Sequence, residues 1–114
     1  MTVKQIAEIL DAQMVYSADL LDHDIEFAFA SDLMSDVLTL DKDNVMLITG
    51  LANTQALRTA EMSEINCIVF ARGKKVSEDM IELAKENDIA VLECAFSVFK
   101  TSGLLYQAGI QPVF

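Results

Sequence analysis

Short runs of consecutive apolar residues alternate with amphipathic stretches from Val45 to Ile110. Val45-Met46-Leu47-Ile48, Cys67-Ile68-Val69-Phe70-Ala71 and Ala90-Val91-Leu92-Glu93-Cys94 are nearly unbroken apolar runs. Strands covered on both faces have that pattern, because neither face carries polar residues. Between them, Ala56, Leu57, Ala60 and Met62, then Met80, Ile81 and Ala84, recur at helical spacing, with Arg58 and Glu61 left facing outward. Asn53 or Thr54 is placed to cap the first of these helices and Ser77 the second. Met80 stands where a capping box has Glu or Gln. A last helix runs from Phe96 to Gln107, with Ser97 as its cap and Gly109 just past its end; Pro112 closes the chain. The order strand, helix, strand, helix, strand, helix predicts a mainly parallel sheet covered by helices.

The first half is less regular. Thr2 is a helix cap ahead of Val3, Ile6, Ala7 and Leu10, which form one apolar face. Met14-Val15-Tyr16 and Ile25–Ala30 are strand candidates. Ser31 or Asp32 is expected to cap a short helix that turns Leu33, Met34, Val37 and Leu38 inward. Leu40–Asn44 is a polar loop. No Pro-, Gly- or Ser-rich linker divides the chain, so residues 1–114 read as one α/β domain, a small two-layer or three-layer βα sandwich.

Composition narrows the function. A 114-residue chain with 53% hydrophobic residues can build its own core. The net charge of −10, from 18 acidic against 8 basic residues, repels nucleic acid and anionic lipid. No apolar run is long enough to span a bilayer and no signal peptide is evident, so the expected location is the cytoplasm. Cys67 and Cys94 fall within apolar runs and read as core thiols; with one histidine they do not make a zinc set. His23, between Asp22 and Asp24, reads as a surface histidine. Asp32, Asp36, Asp41 and Asp43 lack EF-hand spacing and read as a solvated acidic face.

Parallel sheets place ligands at the carboxyl ends of their strands. The first such junction supplies Thr49, Gly50, Asn53 and Thr54, with Arg58 one turn into the helix. Together they suit a phosphate or carboxylate, although neither a Walker A loop nor a Gly-x-Gly-x-x-Gly string is present. The second junction, Arg72-Gly73-Lys74-Lys75, concentrates three of the eight basic residues on the same rim. Ser97 completes it from the third. No nucleophile has a base near it in sequence, so the chain reads as a binding or regulatory module without a cofactor. The alternatives are an adenine-nucleotide or metabolite sensor and, further off, a small transferase using Ser97 or Cys94 with Arg58. The apolar C-terminal end, with Leu104, Leu105, Tyr106, Ile110, Val113 and Phe114, suits a homodimer or another protein partner.

These elements resemble the DRTGG domain family. The resemblance rests on Val45–Gly50, the helix Thr54–Met62, Cys67–Gly73, the helix Ser77–Asn87, Ile89–Leu92 and Ala95–Phe99, with Ile6–Leu10 and Ala28–Asp32 at the start. It is similar as well to the N-terminal domain of HPr kinase/phosphorylase. The nearest element to an Asp-Arg-Thr-Gly-Gly string is Thr49-Gly50, followed by Leu51-Ala52-Asn53. The resemblance implies a non-catalytic regulatory domain that forms dimers, of the kind found beside CBS domains in regulated pyrophosphatases and in phosphotransacetylases.

Overall fold

The computed structural model describes all 114 residues. Helix α1 (Val3–Ile9) is followed by strands β1 (Gln13–Tyr16) and β2 (Phe27–Ala30) and a one-turn helix α2 (Met34–Val37). Then come β3 (Val45–Thr49), α3 (Thr54–Met62), β4 (Cys67–Phe70), α4 (Glu78–Glu86), β5 (Ala90–Glu93), α5 (Val98–Ala108) and β6 (Gln111–Pro112). The six strands form one sheet in the order β1-β5-β4-β3-β2-β6. Only β1 runs antiparallel to its neighbour; the pairs β2–β3, β3–β4, β4–β5 and β2–β6 are parallel.

The side-chain alternation of a strand divides the core in two. Met46 and Ile48 of β3, with Cys67 and Val69 of β4, point to the face covered by α1 and α5. Val45 and Leu47, with Ile68 and Phe70, point to the face covered by α2, α3 and α4. Three layers result, and the buried runs of β3 and β4 are apolar on both sides because both sides are covered. The chain steps one way across the sheet from β2 to β5 with its crossover helices on one face. It then returns over the other face through α5 to reach β6, beyond β2.

Local chemistry accounts for most boundaries. Thr2 caps α1 in a capping box with Gln5. At α4 the Ser77 hydroxyl accepts from Met80 N–H, and the Ser77 N–H reaches the Met80 sulfur at 3.5 Å, so a buried thioether fills the place of the absent Glu or Gln. Gly109 ends α5 at φ +109.

Three expectations need correction. Neither Ser31 nor Asp32 caps α2; the position before it is extended Leu33, with no side-chain cap, because Asp32 turns to β3 instead. Leu33 and Leu38 face outward at 59% and 50% exposure, since a single helical turn buries only Met34 and Val37, and Met62, the last residue of α3, is exposed as well. The segment after Gly109 is a short sixth strand: Gln111 and Pro112 pair with Phe27 and Ala28.

Candidate functional site

Thr49 ends β3 fully buried, and its hydroxyl donates to Asp32 Oδ1 at 3.0 Å. The same oxygen accepts the Gly50 N–H at 2.7 Å. The Leu51 N–H in turn donates to Thr49 Oγ1 at 3.1 Å. Asp32 lies just beyond β2, so its carboxylate ties the ends of two neighbouring strands together. It also takes the place at the Gly50 amide that an external anion would occupy.

Arg72 joins this group from the end of β4. A Cβ on Gly50 would sit 3.1 Å from Arg72 Cδ, 3.2 Å from a guanidinium nitrogen and 3.4 Å from Asp32 Oδ2. Gly50 therefore has no side chain where the arginine lies across it. Arg72 forms no ion pair within the chain, and its head is exposed. Arg72 and Gly73 both have positive φ, +66 and +70. The turn is pinned from the β5 side: Arg72 N–H donates to Phe96 O at 2.7 Å and Gly73 N–H to Cys94 O at 3.0 Å. These bonds close the crevice where α4 and α5 leave for opposite faces, the place where an open parallel sheet tends to bind ligands.

On the far side of that turn, Gly73 and Lys74 line a small cavity of about 170 Å³ with Asp11, Gln13, Lys75, Glu93, Cys94 and Ala95. Glu93 accepts the Val76 N–H at 2.7 Å and meets Lys75 Nζ at 3.5 Å. Thr49, Gly50 and Arg72 are thus brought together at the ends of β3 and β4, and Gly73 and Lys74 follow in the same turn on the side of this second cavity.

The other expected site residues lie elsewhere. Asn53 caps α3, accepting from Ala56 N–H at 3.3 Å. Thr54 and Arg58 face a groove between α3 and α4 lined by Glu78, Asp79 and Glu82. Arg58 meets acidic neighbours there rather than the rim, because its position on α3 directs it toward α4. Ser97 caps α5 by accepting from Lys100 N–H at 3.1 Å. Asp32 was missed as a site residue: an Asp ahead of a short helix looks like a cap, and nothing local shows that it reaches a strand more than a dozen residues away.

The thiols turn inward. Burial pushes the Cys67 thiol up from 9.0 to about 12, so it stays protonated. Cys94 Sγ is buried against Leu10 O and Thr101 Oγ1. Cys67 pairs in register with Ala90, so Cys94 lies four positions further along, roughly 13 Å away at the other end of the sheet. The two thiols do not meet. No group of three or more His, Cys, Asp or Glu side chains is arranged to hold a metal ion. His23 Nε2 lies 3.4 Å from the Asn66 side chain. No helix is long and apolar enough to cross a membrane.

A three-layer α/β domain built on a mainly parallel sheet is a common scaffold, and comparison with known proteins says which one this is. The DRTGG domain family profile matches residues 5–108, and the chain belongs to that family. Among solved structures it is similar to the CBS and DRTGG domains of the regulatory region of Clostridium perfringens pyrophosphatase, complexed with the activator diadenosine tetraphosphate. That similarity has a TM-score of 0.75 at 17% identity and covers 98% of this chain. The chain spans about half the length of that relative, 48%. No curated protein matches the chain. Membership in a regulatory domain family supports a regulatory or ligand-sensing role.

Proposed function

We propose that this chain is a non-catalytic, cytoplasmic regulatory module that self-associates and senses a small anionic, nucleotide-like ligand at the rim formed by Thr49, Gly50, Arg72, Gly73 and Lys74, with Asp32. The observation that carries the reading is Arg72: an unpaired guanidinium lying over Gly50 at the ends of adjacent parallel strands. Arg72 offers planar donors to a phosphate or carboxylate. The second oxygen of Asp32, beside it, accepts from a hydroxyl such as a ribose presents. The amides of this turn are already engaged, so affinity rests on side chains rather than on a phosphate-cradling loop. The regulatory pyrophosphatase relative, crystallised with a dinucleoside polyphosphate activator, makes nucleotides the first probes. A catalytic role is disfavoured by a Cys94 thiol buried against Leu10 O and Thr101 Oγ1, by a Ser97 hydroxyl spent on capping and by an Arg58 that faces α4 instead of either.

Thermal-shift and calorimetric titration with AMP, ATP and diadenosine tetraphosphate test the reading. A ligand at a hundred times its Kd adds about 2.7 kcal/mol to the native state, a readily measured rise in Tm. Arg72→Gln is expected to weaken binding about tenfold or more, the loss of one charged contact. If none of these compounds shifts the melting curve at millimolar concentration, or if Arg72→Gln binds as tightly as the parent, the nucleotide-like ligand at this rim is wrong.

A further inference from the structure

Self-association, as read above, needs a surface, and the structure points to one. Apart from Leu21 and Phe114, the large exposed apolar side chains fall in two places. Leu33 and Leu38 flank α2 and Met62 ends α3, in segments that carry Asp36, Asp41, Asp43, Glu61 and Glu64. Phe99, 89% exposed, and Tyr106, 68% exposed, lie on α5.

Charge separates the two patches. Each copy carries −10, so two copies repel wherever acidic surfaces meet. None of the 18 acidic residues lies beyond Glu93, and Lys100 is the one charged residue of α5. The helix α5 itself therefore brings no carboxylate to a contact between two such chains. The sheet edges offer less: β1 is four residues long with a register shift, and β6 is two residues with a proline.

The α5 face also complements itself. Phe99, Gly103 and Tyr106 follow at i, i+4 and i+7 on its outer side, while Thr101 and Leu105 are buried beneath. Gly103 is the midpoint of Val98–Ala108, and a Cβ there would meet nothing within 4 Å. A bare backbone at the centre of an outer face lets a second helix come close. With the helices antiparallel about a twofold axis at Gly103, Phe99 lies four positions to one side and Tyr106 three to the other. Each Phe99 then packs against the partner's Tyr106, twice over, as a twofold contact requires. Lys100, held over the Phe96 ring at 3.9 Å, lies beside this contact.

We propose that two copies of this chain pair through α5, antiparallel about Gly103, with Phe99 and Tyr106 as the anchors. The inference rests on the self-association reading and names its surface.

Light scattering over a broad concentration range, on the full chain and on Phe99→Glu, Tyr106→Glu and Leu38→Glu, tests it. The parent is expected to be a dimer. The two α5 variants should weaken it about a hundredfold or more, since each change occurs twice in the interface, and Leu38→Glu should leave it intact. Gly103→Cys adds a readout independent of the glutamates: the native cysteines are buried, so mild oxidation should link two copies through residue 103. A parent dimer that survives both α5 glutamates and leaves Gly103→Cys unlinked, or that breaks with Leu38→Glu, overturns the α5 interface while self-association stands. A parent that is monomeric throughout overturns both.

Discussion

Removing the Asp32 carboxylate tests the bond that joins β2 to β3 and shapes the rim. Asp32→Ala takes away the acceptor of two hydrogen bonds, from Thr49 Oγ1 at 3.0 Å and Gly50 N–H at 2.7 Å. The Thr49 hydroxyl is buried and still accepts from Leu51 N–H, so its proton has no new partner at hand. Each such bond contributes about 1 kcal/mol net. Asp32 is itself exposed, so water competes and the figure stays at that lower end. The sum is about 2 kcal/mol, or about 8 °C in Tm at roughly 4 °C per kcal/mol for a domain of this size. Asp32→Asn keeps an oxygen at the accepting position and loses only the charge, so it should cost about half as much. Urea midpoints and circular-dichroism melts of the three proteins provide the comparison. If Asp32→Ala falls within about 0.5 kcal/mol of the parent, the usual scatter of surface substitutions, the strand-tying role is refuted.

Gly50→Ala places a methyl 3.1 Å from Arg72 Cδ; the flexible side chain yields, so stability should change by less than about 1 kcal/mol while nucleotide affinity drops, and equal affinity by calorimetry would contradict the placement of Arg72. Gly109→Ala forces a side chain onto a φ of +109 at the end of α5 and should cost about 1–2 kcal/mol by urea denaturation, although the site has room for the methyl. The Cys67 thiol titrates near 9.0 when unfolded and about 12 when folded, so the native state holds an extra proton between those values. Stability from this group is intact below about pH 9 and is lost as pH rises toward 12, by at most about 1.4 kcal/mol per pH unit. The urea midpoint of the parent should therefore lose ground to Cys67→Ala on raising the pH from about 8 to about 10; a constant gap would contradict this.

The strands β3, β4 and β5, the helices between them and the caps at Thr2, Asn53, Ser77 and Ser97 all rest on short-range chemistry: apolar periodicity, and hydroxyls or amides placed to accept from a helix's first turn. Those signals are local, so the chain's order of residues was enough to reveal them, and with them the α/β class and the family. Tertiary structure alone decided three further matters. It sent Asp32 to β3 rather than to α2, because a buried Thr49 hydroxyl and the Gly50 amide needed an acceptor. It turned Arg58 toward the carboxylates of α4, because α3 and α4 pack side by side. It made Gln111-Pro112 a strand, because the return of α5 brings that segment beside β2, where two residues suffice to pair. Each is a contact between segments distant in sequence, set by the closing of the sheet and not by any pattern along the chain.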